Sequence, residues 1–192
     1  GAIDLNTGVA TSWDPGANNA VVALAAIDST ILAGGWFTTC GGTTRNYMAA
    51  LNKKTGVPTT WAPSFNQRVE DIIVKNDTVY FGGLFSSING TGRGRLASMI
   101  YNTSTLTTFN PSVNSVVKDM SLQNDTLYFV GNFSVAGGQL RNRVASADIQ
   151  TGLITDFDPN ANSSMFTVAT NDSVVYVGGV FTTINGVSRQ NF

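Results

Sequence analysis

Apolar residues along this chain come in short extended runs, not in one long face. The run VVALAA at 21–26 is matched by VEDIIV at 69–74. A turn follows the first run, KND at 75–77 in one unit and QND at 123–125 in the next, where Asn and Asp tolerate tight-turn dihedrals. A second run, TVYFGGLF at 78–85, is rich in β-formers. A Gly-containing loop leads to a third run, RNYMAAL at 45–51, and a Thr-Gly turn (Thr55-Gly56, Thr151-Gly152) to a fourth, LITDF at 153–157. No segment sustains a 3.6-residue period, so almost no helix is expected.

The runs repeat. Pro15, Pro63, Pro111 and Pro159 are 48 residues apart, each with an aromatic two residues before it: Trp13, Trp61, Phe109 and Phe157. The interval also links Asn18, Asn66, Asn114 and Asn162, and then Phe37, Phe85, Phe133 and Phe181. It links Gly42, Gly90, Gly138 and Gly186, and finally Arg45, Arg93, Arg141 and Arg189. Four short strands per unit of this length predict an all-β chain, a β-propeller of four four-stranded blades over residues 1–192. The units run about 1–16, 17–64, 65–112, 113–160 and 161–192, the first and last completing one blade. The Gly pairs in AGGWF, FGGLF and VGGVF would let a neighbouring sheet approach; FVGNF has Val130 in the first position, so only the second is strictly required. A β-solenoid is the competing architecture.

Joined end to end, RQNF at 189–192 and GAIDLNTG at 1–8 match RNYMAALNKKTG at 45–56. The split blade is therefore expected to be completed either by this chain's own ends or, preferentially, by other copies or further repeats of a parent chain. The start lacks a basic flank, an apolar core and an initiator Met, which reads as a processed chain or a piece of a longer one.

The W-x-P-x-x-N, G-G-x-F and G-x-x-R-N elements together resemble the delta-sixty type of repeat, similar to kelch and galactose-oxidase propeller repeats. The resemblance covers the whole chain. It implies a β-propeller of a secreted or cell-surface protein, acting as a scaffold, adhesion or recognition module.

Composition narrows the partners. Charged residues make up only 12%, against about a quarter in soluble domains, and 11 basic residues nearly balance 12 acidic ones. No basic stripe points to nucleic acid, and no apolar run is long enough to cross a bilayer as a helix. The polar bulk is Ser, Thr, Asn and Gly, as in many extracellular β-proteins. Cys40 is the single cysteine and aligns with Ile88, Ala136 and Ile184, so it reads as a small buried hydrophobe.

Candidate chemistry is sparse. The absence of His removes the commonest general base and metal ligand, and neither a metal nor a cofactor is expected. Asp71 and Asp119 share one column on the first strand, but Ala23 and Thr167 fill it elsewhere and Glu70 is the sole glutamate, so no catalytic centre is read. The Arg column (Arg45, Arg93, Arg141, Arg189) is a candidate for anion or sugar contacts, set against a role tying loops to backbone carbonyls. Trp13 and Trp61 are candidate sugar-stacking faces, set against a role plugging inter-blade gaps. Seven N-x-Ser/Thr sequons, at Asn76, Asn89, Asn102, Asn124, Asn132, Asn162 and Asn171, are candidate glycosylation sites. The expected function is a non-catalytic structural or adhesive module; the alternative is a lectin-like propeller binding glycans at one shallow site per blade.

Overall fold

The computed structural model describes all 192 residues, Gly1–Phe192. No residue is helical. Unit one holds β1 (Val21–Ile27), β2 (Thr30–Gly35), β3 (Thr39–Cys40), β4 (Thr43–Thr44) and β5 (Met48–Asn52). Unit two holds β6 (Val69–Lys75), β7 (Thr78–Gly83), β8 (Ser87–Ile88), β9 (Thr91–Gly92), β10 (Leu96–Ile100) and β11 (Thr105–Leu106). Unit three holds β12 (Val117–Gln123), β13 (Thr126–Gly131), β14 (Val135–Ala136), β15 (Gln139–Leu140) and β16 (Val144–Asp148). Unit four holds β17 (Met165–Asn171), β18 (Val174–Gly179), β19 (Thr183–Ile184) and β20 (Val187–Ser188).

In each of the first three units a hairpin pairs the first two long strands, and the third adds antiparallel to the second: β1-β2-β5, β6-β7-β10 and β12-β13-β16. Two-residue turns set the hairpin register, with Lys75 opposite Thr78 and Gln123 opposite Thr126. Their first residues, Asn76 and Asn124, have φ of 53° and 52°, a conformation Asn accepts more readily than most residues.

The elements differ from expectation in three places. The loop after the second strand folds into a small hairpin of its own, as in β3-β4 and β8-β9. The third strand starts at Met48 rather than Arg45, because Arg45 N–H and Tyr47 N–H donate to Thr38 and Phe37 carbonyls, and Tyr47 takes φ 66°. The expected fourth strand shrinks to single bridges such as Ala147–Ile154 and, in unit two, to β11, because the chain bends almost at once into the Pro corner.

The sheets stack in series, β1 on β6, β6 on β12 and β12 on β17. One apolar cluster joins units one and two through Leu32, Met48, Val69 and Phe85; another joins two and three; a third joins three and four. Phe37, Phe85, Phe133 and Phe181 are fully buried, as their column predicts.

The Gly pair divides its work. A Cβ on Gly34 would stand 2.8 Å from Val69 Cγ1, and one on Gly82 would stand 2.9 Å from Val117 Cγ1, both side chains of the following sheet. A Cβ on the second glycine would instead meet backbone of its own unit: the Arg68 carbonyl oxygen at 2.3 Å for Gly83, and Val116's at 2.0 Å for Gly131. A side chain can shift but a laddered carbonyl cannot, which is why Val130 is accepted at the first position and only Gly at the second.

Two outcomes follow. Phe85→Ala should cost about 3–5 kcal/mol in denaturant unfolding, the usual loss for a buried Phe. Gly131→Ala should cost about 3 kcal/mol, at the upper end for overpacking; a loss below about 1 kcal/mol would show that the carbonyl contact is soft.

Candidate functional site

Each corner Asn clamps the loop after the second strand. Asn66 Oδ1 accepts from Ser86 and Ser87 N–H at 2.8 and 3.0 Å, while its Nδ2 donates to Ser86 Oγ at 2.8 Å. Asn18, Asn114 and Asn162 hold Thr38/Thr39, Ser134/Val135 and Thr182/Thr183 in the same way. The Arg column pins the opposite side of this loop. Arg45 donates to the Thr44 and Thr59 carbonyls at 2.8 and 2.9 Å, Arg93 to Gly92 and Thr107, and Arg141 to Leu140 and Thr155. Arg189 donates only to Ser188. These guanidiniums act on the scaffold through backbone carbonyls, and Arg141 also reaches Gln139 Oε1 at 2.9 Å and Asp158 Oδ2 at 3.7 Å.

The corner aromatics close the seams between sheets. Trp61, 7% exposed, packs against Phe81 and Tyr101 with ring centroids 6.4 and 5.2 Å apart. Phe109 and Phe157 meet Tyr80 and Tyr128 edge to face. Trp13 is half-buried and its Nε1 donates to the Asn52 carbonyl at 3.0 Å. Cys40 is buried.

Asp71 and Asp119 lie where the first strands pack against one another, each at a bulge in its hairpin. Asp71 reaches across the seam: its Oδ2 accepts from Met120 N–H at 2.8 Å, and its Oδ1 from Ile72 N–H. Asp119 repeats the reach one unit on, accepting from Val168 N–H at 2.7 Å and Thr167 Oγ1 at 2.8 Å. Burial raises the Asp71 carboxyl from the ordinary 3.8 to about 7, and the charge of Asp119 adds to the rise. The two carboxyl groups converge on one donor, since Met120 N–H also donates to Asp119 Oδ1 at 3.0 Å. A retaining glycosidase holds its carboxyls roughly 5 Å apart around a sugar; this pair shares the Met120 N–H and ties sheet to sheet.

Sequence reasoning missed the residues that vary between units at exposed positions, because a column search rewards identity. Trp36 is exposed and lies 5.0 Å beneath the Arg68 guanidinium, which also pairs with Glu70. Lys118 Nζ sits 4.6 Å over the exposed Phe166 ring. Arg95 and Arg143, with φ of 66° and 69°, were also missed, since Tyr47 and Asn191 fill their column; Arg143 donates to the Asn132 and Phe133 carbonyls.

All seven sequon asparagines are exposed. Asn162 has its side-chain amide committed to the loop clamp, donating to Thr182 Oγ1.

The raised Asp71 carboxyl has a thermodynamic consequence. Its folded value exceeds its unfolded one, so its stabilisation is complete below the unfolded value and lost as pH rises through about 7. Melting temperature should therefore fall across that window, and Asp71→Asn should flatten the slope while keeping an acceptor for Met120 N–H. An unchanged slope in the variant would assign the dependence to another group.

Residues 28–53 match the model of a family described as a β-propeller domain of unknown function. A comparison with curated proteins finds no match. Among solved structures, the computationally designed Ika4 protein is similar over 89% of this chain and 93% of its own, at 13% identity and TM-score 0.60. The Pan2 WD40 domain of Neurospora crassa is similar over 84% of this chain and 44% of its own, at 9% identity and TM-score 0.55. The extracellular domain of a hybrid two-component system from B. thetaiotaomicron is similar over 83% of this chain and 19% of its own, at 15% identity and TM-score 0.55. The chain spans less than half the length of the last two. The repeated sheets, stacked face to face in series, have the β-propeller fold.

Proposed function

We propose that this chain is a four-blade, non-catalytic structural or adhesive β-propeller module of a secreted or cell-surface protein. The observation that carries the reading is where the repeated polar side chains go. Asn18, Asn66, Asn114 and Asn162 are spent on loop backbone, and Arg45, Arg93 and Arg141 on carbonyls. Asp71 and Asp119 are spent on backbone N–H groups across the seams. What is left facing solvent and differing from unit to unit is a surface of mixed character, with Trp36, Arg68 and Glu70 at one seam and Lys118 with Phe166 at another. Such a surface suits recognition of another macromolecule, for which aromatic and Arg side chains are the usual anchors. The Ser/Thr/Asn-rich composition and seven exposed sequons support a secretory setting with glycosylation.

A lectin-like reading draws on Trp36, whose exposed ring beside Arg68 offers a stacking face and donors for a sugar. A glycan array combined with thermal-shift scans separates the two. The structural reading expects no sugar to raise the melting temperature. Specific binding at millimolar or tighter affinity, lost in Trp36→Ala, would replace it with the lectin reading.

A further inference from the structure

The seam between units two and three keeps a cavity where the seam before it is filled. Between units one and two, Tyr101 packs against Trp61 with ring centroids 5.2 Å apart, and its hydroxyl donates to Thr30 Oγ1 at 2.8 Å. The 48-residue interval carries these three positions to Ile149, Phe109 and Thr78. Two large aromatic side chains have become smaller ones, while the threonine that receives the phenol remains. Tyr80, in the place of Leu32, meets Phe109 edge to face and forms one wall. A cavity of about 270 Å³ is left beside it. Units two and three each have a sheet packed on both faces, so this space belongs to the interior of the array.

The lining decides what the cavity accepts. Thr78, Tyr80, Ser98 and Thr107 bring four hydroxyls to it, and Phe109 and Ile149 bring apolar surface. Ser98 and Tyr80 are 1% and 5% exposed, so a wholly apolar occupant would strand hydroxyls already withdrawn from bulk water. Lys75 also borders the cavity, but its ammonium is paired with Asp125 at 2.6 Å, which leaves no uncompensated charge to hold an ion. Burial, and then the charge of Asp125, hold the Tyr80 hydroxyl above its ordinary range, so it keeps its proton and can donate. The fitting occupant is therefore neutral, with an apolar body and a polar tip.

A phenol has that form, and Tyr101 shows one seated in the equivalent place one seam earlier. The volume is a little below the roughly 300–1,000 Å³ of a drug-sized site, which suits a single side chain. Thr108 and Gln150 border the cavity and are exposed, so it opens to solvent. Tyrosine is among the side chains that most often anchor a protein interface by filling a pocket.

We propose that this seam is a docking site for a tyrosine side chain of a partner protein, its ring lying along Phe109 and Ile149 and its hydroxyl donating to Thr78 Oγ1. The partner supplies in trans the phenol that Tyr101 supplies in cis between units one and two. The site lies at a different seam from Trp36 and Arg68, so it stands or falls independently of the glycan screen.

The test titrates the 192-residue chain, its isoleucine methyls labelled with carbon-13, with the end-blocked peptides Gly-Tyr-Gly and Gly-Phe-Gly. Gly-Tyr-Gly should give saturable shifts at the Ile100 and Ile149 methyls in the millimolar range. Gly-Phe-Gly should bind at least about tenfold more weakly, as expected where a buried acceptor is left unpaired. Ile149→Tyr restores the phenol in cis and should abolish the shift at Ile100. Thr78→Val keeps the shape of the side chain without its acceptor and should erase the preference for tyrosine, which keeps the proposal testable if Ile149→Tyr does not fold. p-Cresol, a free phenol, should bind alongside Gly-Tyr-Gly. Binding of p-cresol with exclusion of the peptide would overturn the docking of a partner's chain. Equal binding of the two peptides, binding retained in Ile149→Tyr, or no shift at either methyl up to tens of millimolar would overturn the site itself.

Discussion

The distance at which one sheet can approach the next governs this structure. Sheets that carry side chains on both faces pack about 10 Å apart, and here the second strand gives up a side chain at Gly34 and Gly82 so that Val69 and Val117 can sink into it. Once that contact is made, the aromatic side chains have a fixed gap to fill. Phe85, Phe133 and Phe181 occupy it at the loop end, and Trp61, Phe109 and Phe157 at the corner, while Phe37 packs with Trp13 and Ala17 on unit one. The polar columns then serve to hold the loops in the place this packing leaves for them.

Position in the repeat explains why some of this was legible in the sequence and some was not. The Phe, Asn, Arg and second-Gly columns are identical in every unit because backbone geometry constrains them, so a periodic reading finds them and names their roles. The Val130 exception marks the second glycine as the required one, and the reason lies in the structure, where a Cβ there would meet a carbonyl of its own unit. The small hairpins β3-β4 and β8-β9 were hidden because Gly-rich loops and two-residue strands carry no apolar alternation. The fourth strand was overestimated because LITDF has strand propensity, yet the turn into Pro159 ends its pairing after Ile154.

The candidate site was less legible for the same reason inverted. The columns offered as ligand contacts were those that repeat, and the structure occupies Arg45, Arg93 and Arg141 with carbonyls and buries Trp61. Trp36, Arg68 and Phe166 repeat in no other unit, so nothing in the periodicity marked them. Asp71 and Asp119 were found as a pair, but their role appears only when Met120 N–H and Val168 N–H are seen across the seams.

That carboxylate reach has a direction. Each Asp grips the unit that follows it, while the apolar knobs of that following unit reach back the other way. Coupling is therefore between nearest neighbours along a line, and stability accumulates unit by unit as in a one-dimensional lattice. Units two and three grip forward through Asp71 and Asp119, whereas unit one has Ala23 at that position and its seam is held by apolar packing with the Tyr101 hydroxyl donating to Thr30 Oγ1.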